Sequence, residues 1–295
     1  MSNQPLLYGL ISLMVFFWSA NFIVGKVALR EFPPVLLGGL RIALAGLFVT
    51  PFFWWKHRNG QPKPVLTKSD LPLLLVLGTF GVALNQIFFI VGLNRTSVTH
   101  SALIIAMTPI LVLLIAAFIG QERITARKAA GMAIAVGGVA VLNAWPSSQP
   151  AAAASFEGDL LILLAALTFA LFTVYGKTAT ERHDSVTVNT VGWIGGALAV
   201  APLTFWHAHS FAFERVSVQG WVSLVYMALF PSVICYLIYY YALKWVAASR
   251  IAAFSYIQPV LASLMAVFLL GEPVTPQLVA GGAVIFSGVY LAERG

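Results

Sequence analysis

The sequence predicts an all-α polytopic membrane protein, with ten transmembrane helices arranged as two inverted five-helix repeats around a central cavity. Composition gives the first indication, because 60% of the 295 residues are hydrophobic and 9% are charged, with a mean hydropathy of +0.89. Soluble domains carry about 25% charged residues. Apolar runs of roughly 20 residues give the second indication, since that length lets a helix cross a bilayer. An internal repeat gives the third.

The repeat is a block of sequence that recurs 150 positions later without a gap (259 − 109 = 150). Pro109 then aligns with Pro259, and Glu122 aligns with Glu272. The same register pairs further residues: Thr125 with Thr275, Gly131 with Gly281, and Gly138 with Gly288. In both copies an apolar helix is followed by a short polar turn and a second, glycine-rich helix. Self-similarity over such a length indicates a duplicated architecture.

We number the ten apolar segments in chain order. Their predicted bounds are residues 6–29, 33–55, 70–93, 98–119, 126–143, 159–179, 186–206, 220–243, 251–270 and 276–292. The Ala-, Pro- and Ser-rich stretch between segments 5 and 6 has the composition of an exposed connector. The predicted domains are therefore a first repeat at 1–143, a linker at 144–158 and a second repeat at 159–295. Because five is odd, the second repeat must enter the membrane from the opposite side, which makes the two repeats inverted.

Basic residues predict the orientation of the chain. If the N-terminus is cytoplasmic, 12 of the 17 Lys and Arg residues fall on cytoplasmic loops and ends, four fall on the other side, and Arg41 lies inside segment 2. The positive-inside rule therefore places both termini in the cytoplasm. The net charge of +7 is spread over several loops, which argues against nucleic acid as a partner.

Helix-breaking residues occupy matching positions in the two repeats. Pro109 and Pro259 lie within segments 4 and 9, and a proline inside a helix leaves a backbone carbonyl without its usual donor. Gly78 and Gly81 loosen segment 3, and Pro231 kinks segment 8. Carriers with inverted repeats bind substrate where such helices are interrupted. We therefore predict hinges at these five positions and cavity walls from segments 3, 4, 8 and 9, although Pro and Gly are also common in membrane helices generally.

Polar and aromatic side chains well inside the segments are the candidate substrate-binding residues. They are Trp18, Asn21, Arg41, Asn85 (beside Gln86), Thr168, Tyr175, Trp193, Tyr236, Tyr239, Tyr256 and Gln258. An amide cannot face lipid without a hydrogen-bond partner, so the amides should face protein or water. The alternative for each amide is a structural bond between helices, worth about 0.6–2 kcal/mol. The alternative for the aromatic residues is a belt at the membrane interface.

Charged groups inside the segments bear on mechanism. Arg41 lies well inside segment 2, and such residues usually face the bundle interior or a water-filled cavity. It can bind a substrate carboxylate, or pair structurally with helix-end carbonyls or with Glu31. The ten carboxylates fall in loops or near segment ends, and His100 is the titratable group that comes nearest to the interior. This distribution predicts facilitated, gradient-driven transport without obligatory proton coupling.

Several short motifs carry a family resemblance. In the first half they are WSANF at 18–22, Gly25-Lys26, Pro33-Pro34, Arg41, Pro109 and GQER at 120–123; in the second half they are Pro259-Val260, Gly271-Glu272-Pro273, Gly281 and Gly288. These resemble the paired repeats of the EamA family of the drug/metabolite transporter superfamily, over nearly the whole chain. The resemblance implies a ten-helix carrier that works by alternating access. Members of similar layout include bacterial YddG-type exporters of aromatic and other neutral amino acids, which implies amino-acid export across a bacterial inner membrane.

The expected cavity favours one class of cargo without fixing it. Aromatic rings, amides and hydroxyls with few charges suit a small zwitterion or neutral metabolite with an apolar side chain. A lipophilic organic cation fits the same description, so a multidrug exporter is an alternative. Phosphorylated sugars fit poorly, because they would require several buried Lys or Arg residues.

Functions of a different class are a lipid scramblase or an intramembrane enzyme. The sequence has no Walker-type loop, no nucleophile elbow and no metal-ligand spacing among its histidines, and Cys235 is its single cysteine. We therefore expect no enzyme activity, no cofactor and no metal. The expected partners are a small-molecule substrate and the lipid bilayer, with the chain a monomer or a weak dimer.

Overall fold

The computed structural model describes residues 4–58, 67, 70–120, 124–142, 155–243, 245 and 257–293. Every regular element within these ranges is a helix and none is a strand, in agreement with the predicted all-α class. Most of the predicted linker, the beginning of segment 9 and the candidate residue Tyr256 lie outside the described residues.

Helices occupy all ten predicted segments. In the first half, three segments are single helices: segment 1 is Gln4–Ala28, segment 2 is Pro34–Arg58 and segment 5 is Ala126–Leu142. Segment 3 consists of the helix Leu71–Val76, the π-helical stretch Leu77–Leu84 and the helix Asn85–Arg95. Segment 4 consists of two helices, Val98–Ile105 and Thr108–Phe118. In the second half, three segments are single helices: segment 6 is Phe156–Arg182, segment 7 is Ser185–His209 and segment 10 is Pro276–Glu293. Segment 8 consists of the helix Val218–Met227, the π-helical stretch Ala228–Ile234 and the helix Cys235–Leu243. The described part of segment 9 consists of the helix Ile257–Met265 and the π-helical stretch Ala266–Leu270.

Seven helical segments in the described ranges are long and apolar enough to cross a bilayer. They are segments 1 to 4 and 6 to 8. Segments 9 and 10 contain shorter apolar helices, Ile257–Leu270 and Leu278–Gly288, and segment 5 has 17 residues. The helix lengths therefore support a polytopic membrane protein, whereas ten complete crossings remain a prediction.

Short polar residues start four of these segments by capping free backbone N–H groups. The hydroxyls of Ser97, Ser155 and Ser217 each accept a hydrogen bond from the N–H three residues later, and the Asp184 carboxylate accepts from Val186 and Thr187. Because Ser155 supplies a cap, segment 6 begins at residue 156, three residues before its predicted start.

The helix contacts are reciprocal between the two halves. Segment 2 packs on segment 7 and segment 5 packs on segment 10. Segment 1 packs on segments 8 and 9, while its counterpart, segment 6, packs on segments 3 and 4. Exchanging each segment with the one five places later leaves this pattern of partners unchanged. Two repeats related by a pseudo-two-fold axis would produce such a pattern.

Glycines bring segments 5 and 10 into close contact. A Cβ atom added to Gly138 would lie 2.7 Å from the backbone nitrogen of Ile285, and one added to Gly288 would lie 2.6 Å from the carbonyl oxygen of Gly131. Backbones approach this closely in membrane helices only where side chains are absent or small. Gly137, on the same helix as Gly138, has no such neighbour within 4 Å.

We expect Gly288→Leu to destabilise the protein by about 1–3 kcal/mol, the usual cost of forcing extra volume into a packed interface. Gly137→Leu is the matched control, because a side chain there meets open space. The midpoints of thermal unfolding in detergent would measure both effects. Equal midpoints for the two variants would show that the segment 5–segment 10 contact does not require glycine.

An ion pair joins segments 2 and 7 at one end of the bundle. The Lys56 ammonium lies 2.6 Å from the Asp184 carboxylate, and both side chains are 27% exposed. Burial alone would raise the pKa of Asp184, but hydrogen bonds from Lys56 and Thr187 and the charge of Lys56 outweigh it and hold that pKa at about 2. Because this folded-state pKa lies below the ordinary value of 3.8, the pair stabilises the folded protein above about pH 4 and loses that contribution as the pH falls toward 2.

Lys56→Met should therefore lower the unfolding midpoint at pH 7, by the equivalent of about 1 kcal/mol or less for a partly exposed pair. The difference in unfolding midpoint between this variant and wild type should be smaller at pH 3, because Asp184 in the unfolded chain is already largely protonated there. Arg58→Met, an exposed change on the same helix, serves as the control. If the difference in unfolding midpoint did not vary with pH, the lost stability would come from packing of the Lys56 aliphatic chain rather than from its charge.

Candidate functional site

A cavity lies where segments 1, 2, 3, 4, 6, 8 and 9 meet. The centre of a water molecule can reach about 90 Å³ of it, which is room for several waters. Seven predicted residues line this cavity: Trp18, Asn21, Arg41, Asn85, Pro231, Tyr236 and Gln258. Gln86 also lines it, together with residues that sequence reasoning missed: Phe22, Phe89, Ile105, Thr108 and Phe169.

Other candidates stand behind the lining or away from it. Trp193 is fully buried and its ring centre lies 5.2 Å from that of Tyr236. The Tyr239 ring lies 5.8 Å from the Trp18 ring, and the Thr168 hydroxyl donates within its own helix. Tyr175 packs against the apolar core. Trp193 and Tyr239 therefore pack behind rings of the lining, whereas Thr168 and Tyr175 are simply not among the lining residues.

Three of the five predicted hinge residues lie in π-helical stretches, and a fourth follows a break in its helix. Gly78 and Gly81 lie in one π-helical stretch, and Pro231, the counterpart of Gly81 in the second repeat (231 − 81 = 150), lies in another. Segment 4 is broken at residues 106–107, and Pro109 is in the first turn of the helix that follows. Pro259 is the third residue of the described helix in segment 9. π-helical turns occur frequently at functional sites.

Pro231 frees a carbonyl that organises one wall of the cavity. Because proline has no N–H, the carbonyl of Met227 lacks its usual α-helical donor, and the Ser232 hydroxyl donates to that carbonyl at 2.8 Å. Ser232 Oγ also accepts a hydrogen bond from Arg41 Nε at 2.9 Å. The carbonyl of Pro231 accepts a bond from Trp18 Nε1 at 2.9 Å. The π-helical stretch of segment 8 thus holds two lining residues of the first half.

Arg41 is 2% exposed, and the structure gives it no acidic partner in the described residues. Glu31, the partner considered from sequence, instead accepts from the backbone N–H and the hydroxyl of Ser217, both at 2.6 Å. The pairing of Arg41 with Glu31 is therefore absent. Arg41 Nη1 is buried and, as far as the described chain extends, has no hydrogen-bond partner.

The amides divide into two groups. Asn85 Nδ2 donates to the carbonyl of Ala165 at 2.8 Å, while Gln86 Nε2 donates to Asn85 Oδ1 at 3.0 Å and to the Tyr236 hydroxyl at 3.3 Å. For Asn85 the structural alternative, a bond between helices, is therefore present. Asn21 Oδ1 differs, because it is buried and meets no donor from the part of the chain that is described.

Three aromatic rings form one side of the cavity. Trp18, Phe169 and Tyr236 have ring centres 5.9–6.2 Å apart and interplanar angles between 84° and 90° in all three pairs. Edge-to-face packing of this kind is favourable and fixes each ring against the others. We call these residues the ring cluster. It offers an apolar surface to a side chain and a π face to a cation.

Two carboxylates near segment ends are more buried than the sequence suggested. Asp159 is 3% exposed and Glu272 is 9% exposed. Asp159 lies 2.9 Å from His100 Nδ1 and accepts from the Thr96 hydroxyl, while Glu272 accepts from the backbone N–H of Val98 at 2.7 Å. Lone polar residues at segment ends gave no signal of this clustering, which depends on how segments 4, 6 and 9 meet.

We expect Gly81→Ala to disturb the cavity wall, because a Cβ atom there would clash with Phe172, whose own Cβ would be 2.7 Å away. Phe172 packs on Tyr236, with ring centres 5.2 Å apart. Overpacking of this kind costs about 1–3 kcal/mol. Gly192→Ala is the control, since its nearest neighbour would be at an ordinary 3.7 Å. Thermal unfolding of both variants tests this, and equal stability would contradict it.

Comparison with known proteins supplies an independent line of evidence. The EamA-like transporter family model matches residues 6–144 and, a second time, residues 156–293. The chain is 29% identical to an uncharacterized transporter of Archaeoglobus fulgidus, over 96% of this chain and 97% of that protein. It is 28% identical to the uncharacterized transporter YetK of Bacillus subtilis, over 92% of this chain and 82% of that protein. It is 26% identical to the uncharacterized inner membrane transporter YedA of Escherichia coli, over 97% of this chain and 90% of that protein. A solved crystal structure at 20% identity shares the fold with a TM-score of 0.64, over 96% of this chain and 95% of that one.

Proposed function

The chain belongs to the EamA-like transporter family and is an integral membrane transporter, and we propose that it exports small neutral and aromatic amino acids, or related metabolites, by alternating access. The observation that carries this proposal is the cavity, in which the buried cation of Arg41 and the ring cluster share one lining. A cation suits a carboxylate, and adjacent rings suit an apolar side chain.

Alternating access is supported by the arrangement of the helices. The contacts of the two halves are reciprocal, and π-helical stretches occupy matching positions in segments 3 and 8. Both stretches contribute to or adjoin the cavity, whose lining comes from both halves. In inverted-repeat carriers the substrate lies at the interface of the repeats, and the two repeats move about it.

Transport is proposed to be facilitated rather than obligatorily coupled to protons. Among the lining residues in the described ranges there is no carboxylate and no histidine, and proton relays at membrane depth are built from such groups. The buried acids Asp159 and Glu272 lie at segment ends and are engaged in hydrogen bonds. We also propose a bacterial inner-membrane location, with both termini cytoplasmic, from the distribution of basic residues.

Export of lipophilic organic cations is the second candidate, because the ring cluster would also bind a cation through its π faces. The buried positive charge of Arg41 in the same lining opposes it, since like charges repel across a small cavity. The two candidates therefore make opposite predictions for a permanent cation.

Reconstituted protein in liposomes distinguishes these functions. We expect saturable flux of radiolabelled phenylalanine and leucine, no flux of tetraphenylphosphonium, and no requirement for a pH gradient. Trp18→Ala should reduce amino-acid flux about tenfold or more, since an aromatic contact and an interhelical bond are lost together. Trp206→Ala, an exposed change at the end of segment 7, is the matched control and should leave flux unchanged.

Three results would contradict the proposal. Flux of the organic cation without flux of amino acids would favour the multidrug alternative. Uptake that occurs only under an imposed pH gradient would overturn the uncoupled mechanism. Movement of labelled lipid between leaflets, in place of solute flux, would indicate a scramblase.

A further inference from the structure

Two buried polar atoms of the cavity lining have no hydrogen-bond partner among the described residues. They are Arg41 Nη1 and Asn21 Oδ1. Buried polar atoms in folded proteins are nearly always hydrogen-bonded, so each exception requires an explanation. Both side chains are at least 95% buried, with exposed fractions of 2% and 5%. A cargo molecule that supplies the missing partners is one explanation that fits both atoms at once.

The two atoms require opposite chemistry from that cargo. A guanidinium nitrogen only donates hydrogen bonds, and an amide oxygen only accepts them. We propose that the cavity recognises the zwitterionic head of an α-amino acid, with its carboxylate on Arg41 Nη1 and its ammonium on Asn21 Oδ1. This inference rests on the proposed transport function and narrows its substrate class to molecules that carry both groups.

Ser232 is the positioning residue for Arg41. Its hydroxyl accepts from Arg41 Nε at 2.9 Å and donates at 2.8 Å to the Met227 carbonyl, to which Pro231 cannot give an α-helical N–H donor. The rigid planar guanidinium is therefore anchored through one nitrogen, while its Nη1, which is buried in this conformation, has no partner among the described residues. Guanidinium groups bind carboxylates through this kind of fork geometry, which a lysine ammonium does not reproduce.

The ring cluster accommodates the rest of the molecule. Trp18 and Asn21 lie on the same helix with i, i+3 spacing, so their side chains lie on neighbouring parts of one face. An ammonium bound by Asn21 therefore places the cargo beside the rings of Trp18, Phe169 and Tyr236. The apolar side chain gains burial against these rings.

Charge balance supports the same assignment. A buried charge is costly unless it is paired, and no acidic side chain of the described lining faces Arg41. The ionisable side chains near it, Tyr226, Tyr236 and Cys235, are phenols and a thiol rather than carboxylates. A bound carboxylate would neutralise the guanidinium, and the remaining ammonium would be held by an uncharged amide.

The test is competition against radiolabelled phenylalanine uptake into proteoliposomes, with two analogues that each lack one charged group. Phenylalaninamide lacks the carboxylate and 3-phenylpropionate lacks the ammonium. For wild type we expect each analogue to compete about 10- to 100-fold more weakly than phenylalanine, because each loses hydrogen bonding to a charged group. Equal competition by phenylalanine and both analogues would overturn the inference.

Variants assign each group to its residue. Arg41→Gln should weaken competition by phenylalanine about 10- to 100-fold while leaving phenylalaninamide nearly unchanged. Asn21→Leu should weaken competition by phenylalanine but not competition by 3-phenylpropionate. Ser232→Ala should raise the half-saturation concentration for phenylalanine and not for phenylalaninamide, and Ser232→Thr should restore it. A loss of equal size for phenylalanine and phenylalaninamide would show that Arg41 and Ser232 act structurally.

A binding measurement on the unmodified protein covers the case in which a variant does not fold. The unfolding midpoint of detergent-solubilised wild type should rise with phenylalanine and much less with either analogue, because a ligand stabilises the folded state according to its affinity. Equal stabilisation by all three would refute the inference while leaving amino-acid transport standing. Flux of organic cations without any flux of phenylalanine would instead refute the proposed function.

Discussion

The hydrogen bonds that segment 8 makes at Pro231 and Ser232 are the interaction on which the cavity depends. Pro231 cannot give the Met227 carbonyl an α-helical donor, and in the π-helical stretch around it the Ser232 hydroxyl donates to that carbonyl. The same hydroxyl holds Arg41, and the Pro231 carbonyl holds Trp18. In a bilayer every backbone polar group must find a partner inside the protein. This stretch of segment 8 therefore holds a serine, an arginine and a tryptophan around a shared space.

Hydropathy and turn residues predicted the helices closely, because a bilayer permits few other structures. The bounds of segments 2, 4, 5 and 7 agree with prediction to within a few residues, and the predicted hinges Gly78, Gly81 and Pro231 lie in π-helical stretches. The sequence did not show which neighbouring helices each side chain would face. Spacing along one helix does not reveal its neighbours, so the lining residues Phe89 and Thr108 were missed and the supporting residue Trp193 was placed in the site.

Charged residues illustrate the same limit from the other direction. Glu31 is close to Arg41 in sequence, yet it binds Ser217 on segment 8, because the end of segment 1 packs beside the start of that helix. Asp159 and Glu272 are close to segment ends, yet they are buried and contact the start of segment 4 and the turn before it. Hydropathy averages over neighbours in sequence, whereas these pairings join residues at least 59 positions apart. The pairing partners follow from tertiary packing alone.

The bonds that shape the cavity also join the two halves of the chain. Trp18 to Pro231 and Arg41 to Ser232 each cross from the first repeat to the second, so a relative movement of the repeats must change the position of lining residues. A ligand shifts a conformational equilibrium only through a difference in its affinity for the two states. The guanidinium of Arg41 belongs to the first half and is held by Ser232 in the second half. The affinity of Arg41 for a bound cargo would therefore differ between the states of the carrier. In a carrier that works by alternating access, the same few hydrogen bonds would link binding to movement, and Ser232 would be the most direct link because it contacts the guanidinium itself.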